Sequence, residues 1–243
     1  MNIEYIRENR FKLDLDLRDS LMRKYFSPAL FCLYQRLGPI LKIHASGKLL
    51  DAGCGTMPFR TLTQPFIKEY HSLDIQKRIP EVEFVSDLES MKSVGSEDYD
   101  VVLCTEVLEH TRHPHIVLTE IWRILRPHGK LILSVPYLSR LHEEPFDYYR
   151  FTEHGLRLLL NESGFSVLKL KTTGSLFSFL GHQVSTITVG SFWPVPVLKY
   201  LALFLNAFLC TLPCYALDRL PFLSDKFPLG YIVVGKKVTS LEE

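Results

Sequence analysis

The chain has 243 residues, and its 28 Lys and Arg against 27 Asp and Glu give a net charge of +1. That balance excludes the broad basic field through which proteins hold nucleic-acid phosphates, so no nucleic-acid partner is expected. Hydrophobic residues make up 47% and charged residues 23%, ordinary usage for a chain long enough to bury a core.

The N-terminal segment Met1 to Arg10 is too charged for a secretory leader, so the reading expects a cytoplasmic protein. Over residues 14 to 45, Leu17, Leu21, Tyr25, Leu30, Leu33, Tyr34 and Leu37 recur at helical spacing, with Pro28 as a joint; this predicts a helical cap over residues 1–45. Strands follow at Lys48–Asp51, Glu69–Asp74, Val82–Val85, Tyr99–Cys104 and Gly129–Val135. His115–Leu125 reads as an amphipathic helix stopped by Pro127. A second helix spans Phe151–Glu162, with Thr152 as its N-cap and Gly164 as its stop. Two more strands are predicted, at Phe165–Leu170 and Gly230–Gly235. Strands alternating with helices imply parallel pairing and right-handed crossovers, an α/β fold in one domain.

Residues 175–228 form an apolar insertion between the last two strands, and Tyr200 to Leu217 carry no charge. A transmembrane span needs about 20 apolar residues. Spanning here would tear the final strand from its sheet. Burial in a helical cap, a homodimer contact and in-plane docking of residues 195–217 on the inner face of a membrane stay open; Trp193, Lys199 and Tyr200 suit the last. The five cysteines at 32, 54, 104, 210 and 214 read as reduced thiols, and no metal site is expected, since Cys210 and Cys214 have no His or carboxylate nearby.

The chemistry concentrates on strand ends. The first strand runs into Asp51-Ala52-Gly53-Cys54-Gly55, a turn that lets backbone approach a ligand. A dinucleotide fingerprint wants a third Gly where Pro58 stands, and Asp51 repels a phosphate but attracts a cation. S-adenosylmethionine carries a sulfonium and an ammonium and no phosphate. Asp74, 19 positions after Gly55, ends the second strand where a carboxylate accepts ribose hydroxyls. Asp87 and the Leu88 amide follow the third strand, in reach of an adenine, and Thr105 and Glu106 end the fourth.

These segments, with Glu106-Val107-Leu108-Glu109-His110 and Leu125-Arg126-Pro127-His128-Gly129-Lys130-Leu131, resemble a class I S-adenosylmethionine-dependent methyltransferase of the type-11 group over roughly residues 45–170. The resemblance implies a Rossmann-like sheet of seven strands whose last is antiparallel, and cofactor binding by Asp51, Gly53, Gly55, Asp74 and Asp87. Met57-Pro58-Phe59 departs from the small residues of many relatives. The run from His142 to Arg150 resembles a bacterial subgroup often associated with modified glycans.

On the acceptor side, the loop from Tyr137 to Thr152 is polar and aromatic. The reading takes His142 as general base for an oxygen acceptor, Glu143 as its orienting group, and Tyr137, Tyr148 and Arg150 as pocket residues. The competing reading pairs Asp147 with Arg150 to pin the loop. His110 rivals His142, but Glu109-His110 opens the next helix in this reading and only positions the cofactor. The expected activity is methyl transfer to an oxygen of a small or lipid-linked acceptor (glycan, glycolipid or quinone-like). A non-catalytic S-adenosylmethionine-binding module and a nicotinamide-dependent reductase are the alternatives.

Overall fold

The computed structural model describes residues 3–220 and 227–239. Seven strands form one sheet: β1 Lys48–Ala52, β2 Glu69–Asp74, β3 Phe84–Val85, β4 Tyr99–Thr105, β5 Leu125–Pro136, β6 Phe165–Thr173 and β7 Gly230–Lys237. Their order is β3-β2-β1-β4-β5-β7-β6. β1 to β5 pair in parallel, whereas β7 runs antiparallel to β5, from Lys130 opposite Lys236 to Pro136 opposite Gly230. The apolar runs predicted as strands are buried on both faces, with Leu49, Leu50, Val101, Val102, Leu131, Ile132, Val233 and Val234 at zero exposure.

The chain divides into two compact units. The sheet unit comprises residues 38–171 and 230–243. Within it α3 spans Arg60–Thr63, α4 Pro114–Ile124 and α5 Glu153–Glu162. The apolar face of α4 (Val117, Leu118, Ile121, Ile124) packs with Leu156 and Leu160 of α5 and with the strands. Thr152 caps α5 as expected, accepting from the Gly155 amide. The third strand is shorter than predicted, two residues instead of four, and the fifth begins four residues earlier, at Leu125.

The second unit comprises residues 1–37 and 172–229 and is helical. It contains α1 Ile3–Asp16, a 3-10 helix at Leu21–Phe26, the start of α2 Pro28–His44, α6 Leu176–Phe192, α7 Pro196–Asn206 and α8 Leu212–Leu217; a π-helical turn at Ala207–Thr211 joins the last two. Pro28 opens α2, where a missing N–H costs nothing. Of the openings left for the insertion, burial in a helical cap takes Trp193, which is 3% exposed in a core with Leu13, Leu17, Phe26, Val189 and Leu203. Lys199, which with Trp193 and Tyr200 suited a membrane surface, pairs with Asp16 at 2.8 Å. Gly181 is required by packing: a Cβ there would lie 2.5 Å from Cys214 Sγ and 3.1 Å from Cys210 Sγ. Cys210 and Cys214 are half-buried free thiols against α6.

The segment Pro196–Leu217 is one helix long and apolar enough to cross a membrane by length and composition. Its inner face mixes apolar Leu203 and Ala207 with polar Asn206 and Thr211. Asn206 donates to the carbonyls of Tyr25 and Phe26, both at 2.9 Å, and accepts from the Ser185 hydroxyl at 2.7 Å. Its outer face exposes Val197, Leu201, Phe204, Leu205, Phe208 and Leu209.

The cap of α6 comes from a distant residue. Asp218 accepts from the amides of Ser175, Phe177 and Ser178 at 2.7, 2.9 and 3.2 Å, and the side chain of Ser175 makes no capping bond. Asp218→Ala is expected to destabilise the helical unit by roughly 1–3 kcal/mol, because three amides at the buried helix terminus lose their one acceptor carboxylate together. Thermal melting followed by circular dichroism reads this; an unchanged midpoint would remove the assignment.

Candidate active site

The carboxyl ends of β1, β2 and β4 open onto one edge, and the turn after β1 is built by two glycines in the left-handed region, Gly53 at φ +77° and Gly55 at φ +54°. At Gly53 a Cβ would strike the Val107 side chain at 2.5 Å, whereas at Gly55 it would meet nothing within 4 Å. The turn is therefore closed on the β4 side and open at Gly55, where a ligand can approach backbone. The amides of Gly53 and Cys54 both bond the Leu73 carbonyl, tying the turn to β2.

Asp51 and Asp74 are 2% and 5% exposed. Tyr70 donates its hydroxyl to Asp51 at 2.5 Å, and Gly55 donates its amide to Asp74 at 2.8 Å. Asp74 also accepts from the Gln76 amide, and the Arg78 guanidinium stands 3.9 Å away. Asp51 has no ion pair among the described residues. Burial pushes its carboxyl up to about 7; the Tyr70 hydrogen bond opposes this and the neighbouring Asp74 adds to it. A desolvated acid with a second acid beside it and open backbone next door fits a cationic ligand and rejects an anionic one. Of the other residues expected to hold the cofactor, Asp87 is exposed and accepts from the Glu89 amide, Leu88 is buried in the sheet core, and Thr105 ends β4 half-buried. Glu106, at φ +55°, accepts from the Ser134 hydroxyl of β5 at 2.7 Å.

Beyond β4 the chain makes a 3-10 turn at Leu108–His110, separate from α4 rather than its opening. The turn buries Glu109 completely, and neither carboxylate oxygen has a hydrogen-bond partner among the described residues. Burial pushes this carboxyl up to about 7, against the pull of His110. The loop from Tyr137 to Thr152 is fastened onto the turn: the amides of Tyr148 and Tyr149 donate to the Glu109 carbonyl, and Tyr149 Oη donates to the Arg112 carbonyl. His110 Nδ1 lies 2.9 Å from the Phe146 carbonyl. This closure brings His142 beside the turn, its ring 4.7 Å from that of His110, with Nε2 3.7 Å from Glu109 Oε1.

His142 is oriented by Asp147 and by the Arg140 carbonyl. Its Nδ1 is 3.2 Å from that carbonyl and 3.4 Å from Asp147 Oδ2, and its amide donates to the same Oδ2 at 2.9 Å. Glu143, expected to orient His142, stands at φ +53° and has the Arg78 guanidinium 3.9 Å from its carboxylate. Arg150, expected in the pocket, makes a bidentate pair with Asp147 at 2.6 and 2.7 Å and pins the loop. Burial raises the Asp147 carboxyl, but Arg150 and the His142 amide outweigh it and hold it at about 2. Tyr148 and Tyr137 line the loop, the first against Arg112 and the second against the Tyr231 ring. Sequence reasoning noticed Glu109 but gave it no chemistry; the signal available was a carboxylate inside an apolar turn, directly before a histidine.

Comparison with known proteins follows this geometry. Residues 22–170, more than half of the chain, match a family described as a methyltransferase domain. An S-adenosylmethionine-dependent methyltransferase from Archaeoglobus fulgidus superposes with a TM-score of 0.58 at 17% identity, covering 97% of this chain and 100% of that one. A putative methyltransferase from Haloferax volcanii, solved with the Trm112 methyltransferase activator, gives 0.57 at 17% identity, covering 98% and 100%. A putative methyltransferase from Bacillus halodurans gives 0.55 at 18% identity, covering 84% and 100%. No curated protein matches the chain by sequence.

The Asp51 carboxyl near 7 sets a pH dependence for cofactor binding. A cation favours the ionised acid, so affinity is full above about 7 and falls as pH drops through it, by up to about tenfold per unit. Calorimetry with S-adenosylmethionine across that range should show the fall, and Asp51→Asn should be weak and flat. A wild-type affinity independent of pH would count against Asp51 as the cation's partner.

Proposed function

The chain belongs to the methyltransferase-domain family, and we propose that it carries a methyl group from S-adenosylmethionine to an oxygen of a small or lipid-linked acceptor, of the glycan, glycolipid or quinone-like class. The observation that carries this reading is the convergence of Glu109, His110 and His142 at the sheet edge that also bears the glycine turn. S-adenosylmethionine is the cofactor, and it supplies an activated methyl carbon on a sulfonium. Asp51, Asp74 and the backbone at Gly55 would hold it, with Asp87 and Leu88 toward the adenine.

The chain's own residues then position the acceptor and manage its proton. When bound, the cofactor would supply the methyl group and take back the carbon–sulfur electron pair, which leaves the acceptor's hydroxyl proton for this chain's residues to accept. Alignment of the two reactants supplies most of the acceleration. Basic atoms of His110, His142 and Glu109 stand close together, which supports their accepting that proton. Tyr137 and Tyr148 would supply aromatic surface to the acceptor. The apolar outer face of Pro196–Leu217 supports a lipid-linked acceptor, because it suits a helix lying in the plane of a membrane surface. On this reading the protein is cytoplasmic and peripheral on the inner membrane face.

Two measurements test the reading. His142→Ala should lower kcat by about 10²- to 10⁴-fold with an oxygen acceptor while S-adenosylhomocysteine affinity stays within a few-fold; unchanged turnover would remove His142 from the chemistry. In vesicle flotation, replacing Leu201, Phe204, Phe208 and Leu209 with Gln should cut the bound fraction at least roughly tenfold without changing cofactor affinity. Equal flotation of the variant and the parent would reject the membrane surface.

A further inference from the structure

We infer that Glu109, His110 and His142 form a binding site for a divalent first-row transition-metal cation, of the two-imidazole, one-carboxylate kind that suits Zn2+. Glu109 is completely buried, yet among the described residues neither of its oxygens has a hydrogen-bond partner. A desolvated carboxylate in that condition is stabilised by a positive charge at its oxygens. The nearest polar groups are two imidazoles, at 3.6 Å for His110 Nε2 and 3.7 Å for His142 Nε2, while Arg150 acts on the carboxyl favourably and Asp147 unfavourably through charge alone.

These separations decide between two readings. Hydrogen bonds from protonated rings would bring Nε2 to about 2.7–3.2 Å of the oxygen. Ligands held at roughly 2.0–2.2 Å around a tetrahedral Zn2+ stand about 3.3–3.5 Å apart. The observed gaps are too long for the first and close to the second, and all three donor atoms lie within 4.8 Å of one another.

The ring tautomers agree. His110 Nδ1 is 2.9 Å from the Phe146 carbonyl and His142 Nδ1 is 3.2 Å from the Arg140 carbonyl. A carbonyl only accepts, so each Nδ1 carries a proton. In the neutral imidazole that leaves a lone pair on each Nε2, the atom of each ring that stands 3.6–3.7 Å from Glu109 Oε1. A cation between the three atoms turns both lone pairs and the carboxylate into ligands. Asp147, 3.4 Å from His142 Nδ1, completes the outer carboxylate–imidazole arrangement that fixes metal-binding histidines.

The histidine side chains are 18% and 19% exposed, so three protein ligands close the inner side and the solvent side keeps an open position. A hydroxyl oxygen bound there loses its proton more readily, and His142 then serves as ligand rather than base. That use rests on the oxygen-acceptor reading, whereas the site itself is tested with neither acceptor nor cofactor, so the two can fail separately.

The test uses the full chain stripped with a chelator and titrated with Co2+, then Zn2+. One equivalent of Co2+ should give visible d–d bands of an N/O site without thiolate charge transfer, and Zn2+ should abolish them. Glu109→Gln and His142→Ala should each weaken Zn2+ binding at least about 100-fold. Both variants should keep S-adenosylhomocysteine affinity within a few-fold, which shows that they are folded. No uptake of either metal, a thiolate signature, or equal affinity in the folded variants would overturn the site.

Discussion

Desolvated negative charge at one sheet edge is the constraint around which this molecule is arranged. Parallel strands end together, so whatever follows β1, β2 and β4 is gathered in one place. Here that brings Asp51, Asp74 and Glu109 out of water, each less than 6% exposed. They are compensated very unequally. Asp74 receives two backbone amides and an arginine nearby, Asp51 one phenolic hydroxyl, and the Glu109 carboxylate no hydrogen bond from any other described residue. The best-satisfied acid holds the glycine turn in shape. The two left short of partners are the ones that face places where a positive charge would settle.

Much of the frame was legible because the signals are local and redundant. Runs such as Val101 to Cys104 can only be buried strands, and Pro28, Thr152 and Gly164 mark boundaries by backbone chemistry alone. The acids at strand tips were legible for a similar reason, since a parallel sheet fixes which end of each strand meets the ligand. The seven-stranded order with its antiparallel β7 agrees with what the family resemblance implied.

What escaped were relations that only closure of the loop creates. Glu109 and His142 are 33 positions apart (142 − 109), and nothing in either neighbourhood announces the other. Asp147, five residues after His142, accepts from its amide and stands beside its ring, a relation that spacing alone does not announce. Trp193 suited either a membrane surface or a buried cap, and its ring lies in the helical core. In each case residue type left several roles open, and the fold of the loop or helix chose among them.

The insertion leaves and returns at a single place. The Leu229 amide bonds the Thr173 carbonyl at 2.9 Å, so the strand that exits and the strand that re-enters are joined before the helices begin. Such a gate holds both ends of the insertion at one point, while Asn206 and Trp193 fasten its middle to the N-terminal helices. The segment is therefore no free loop: it is tied at its ends and at its centre, and a change at either tie would be felt at the other.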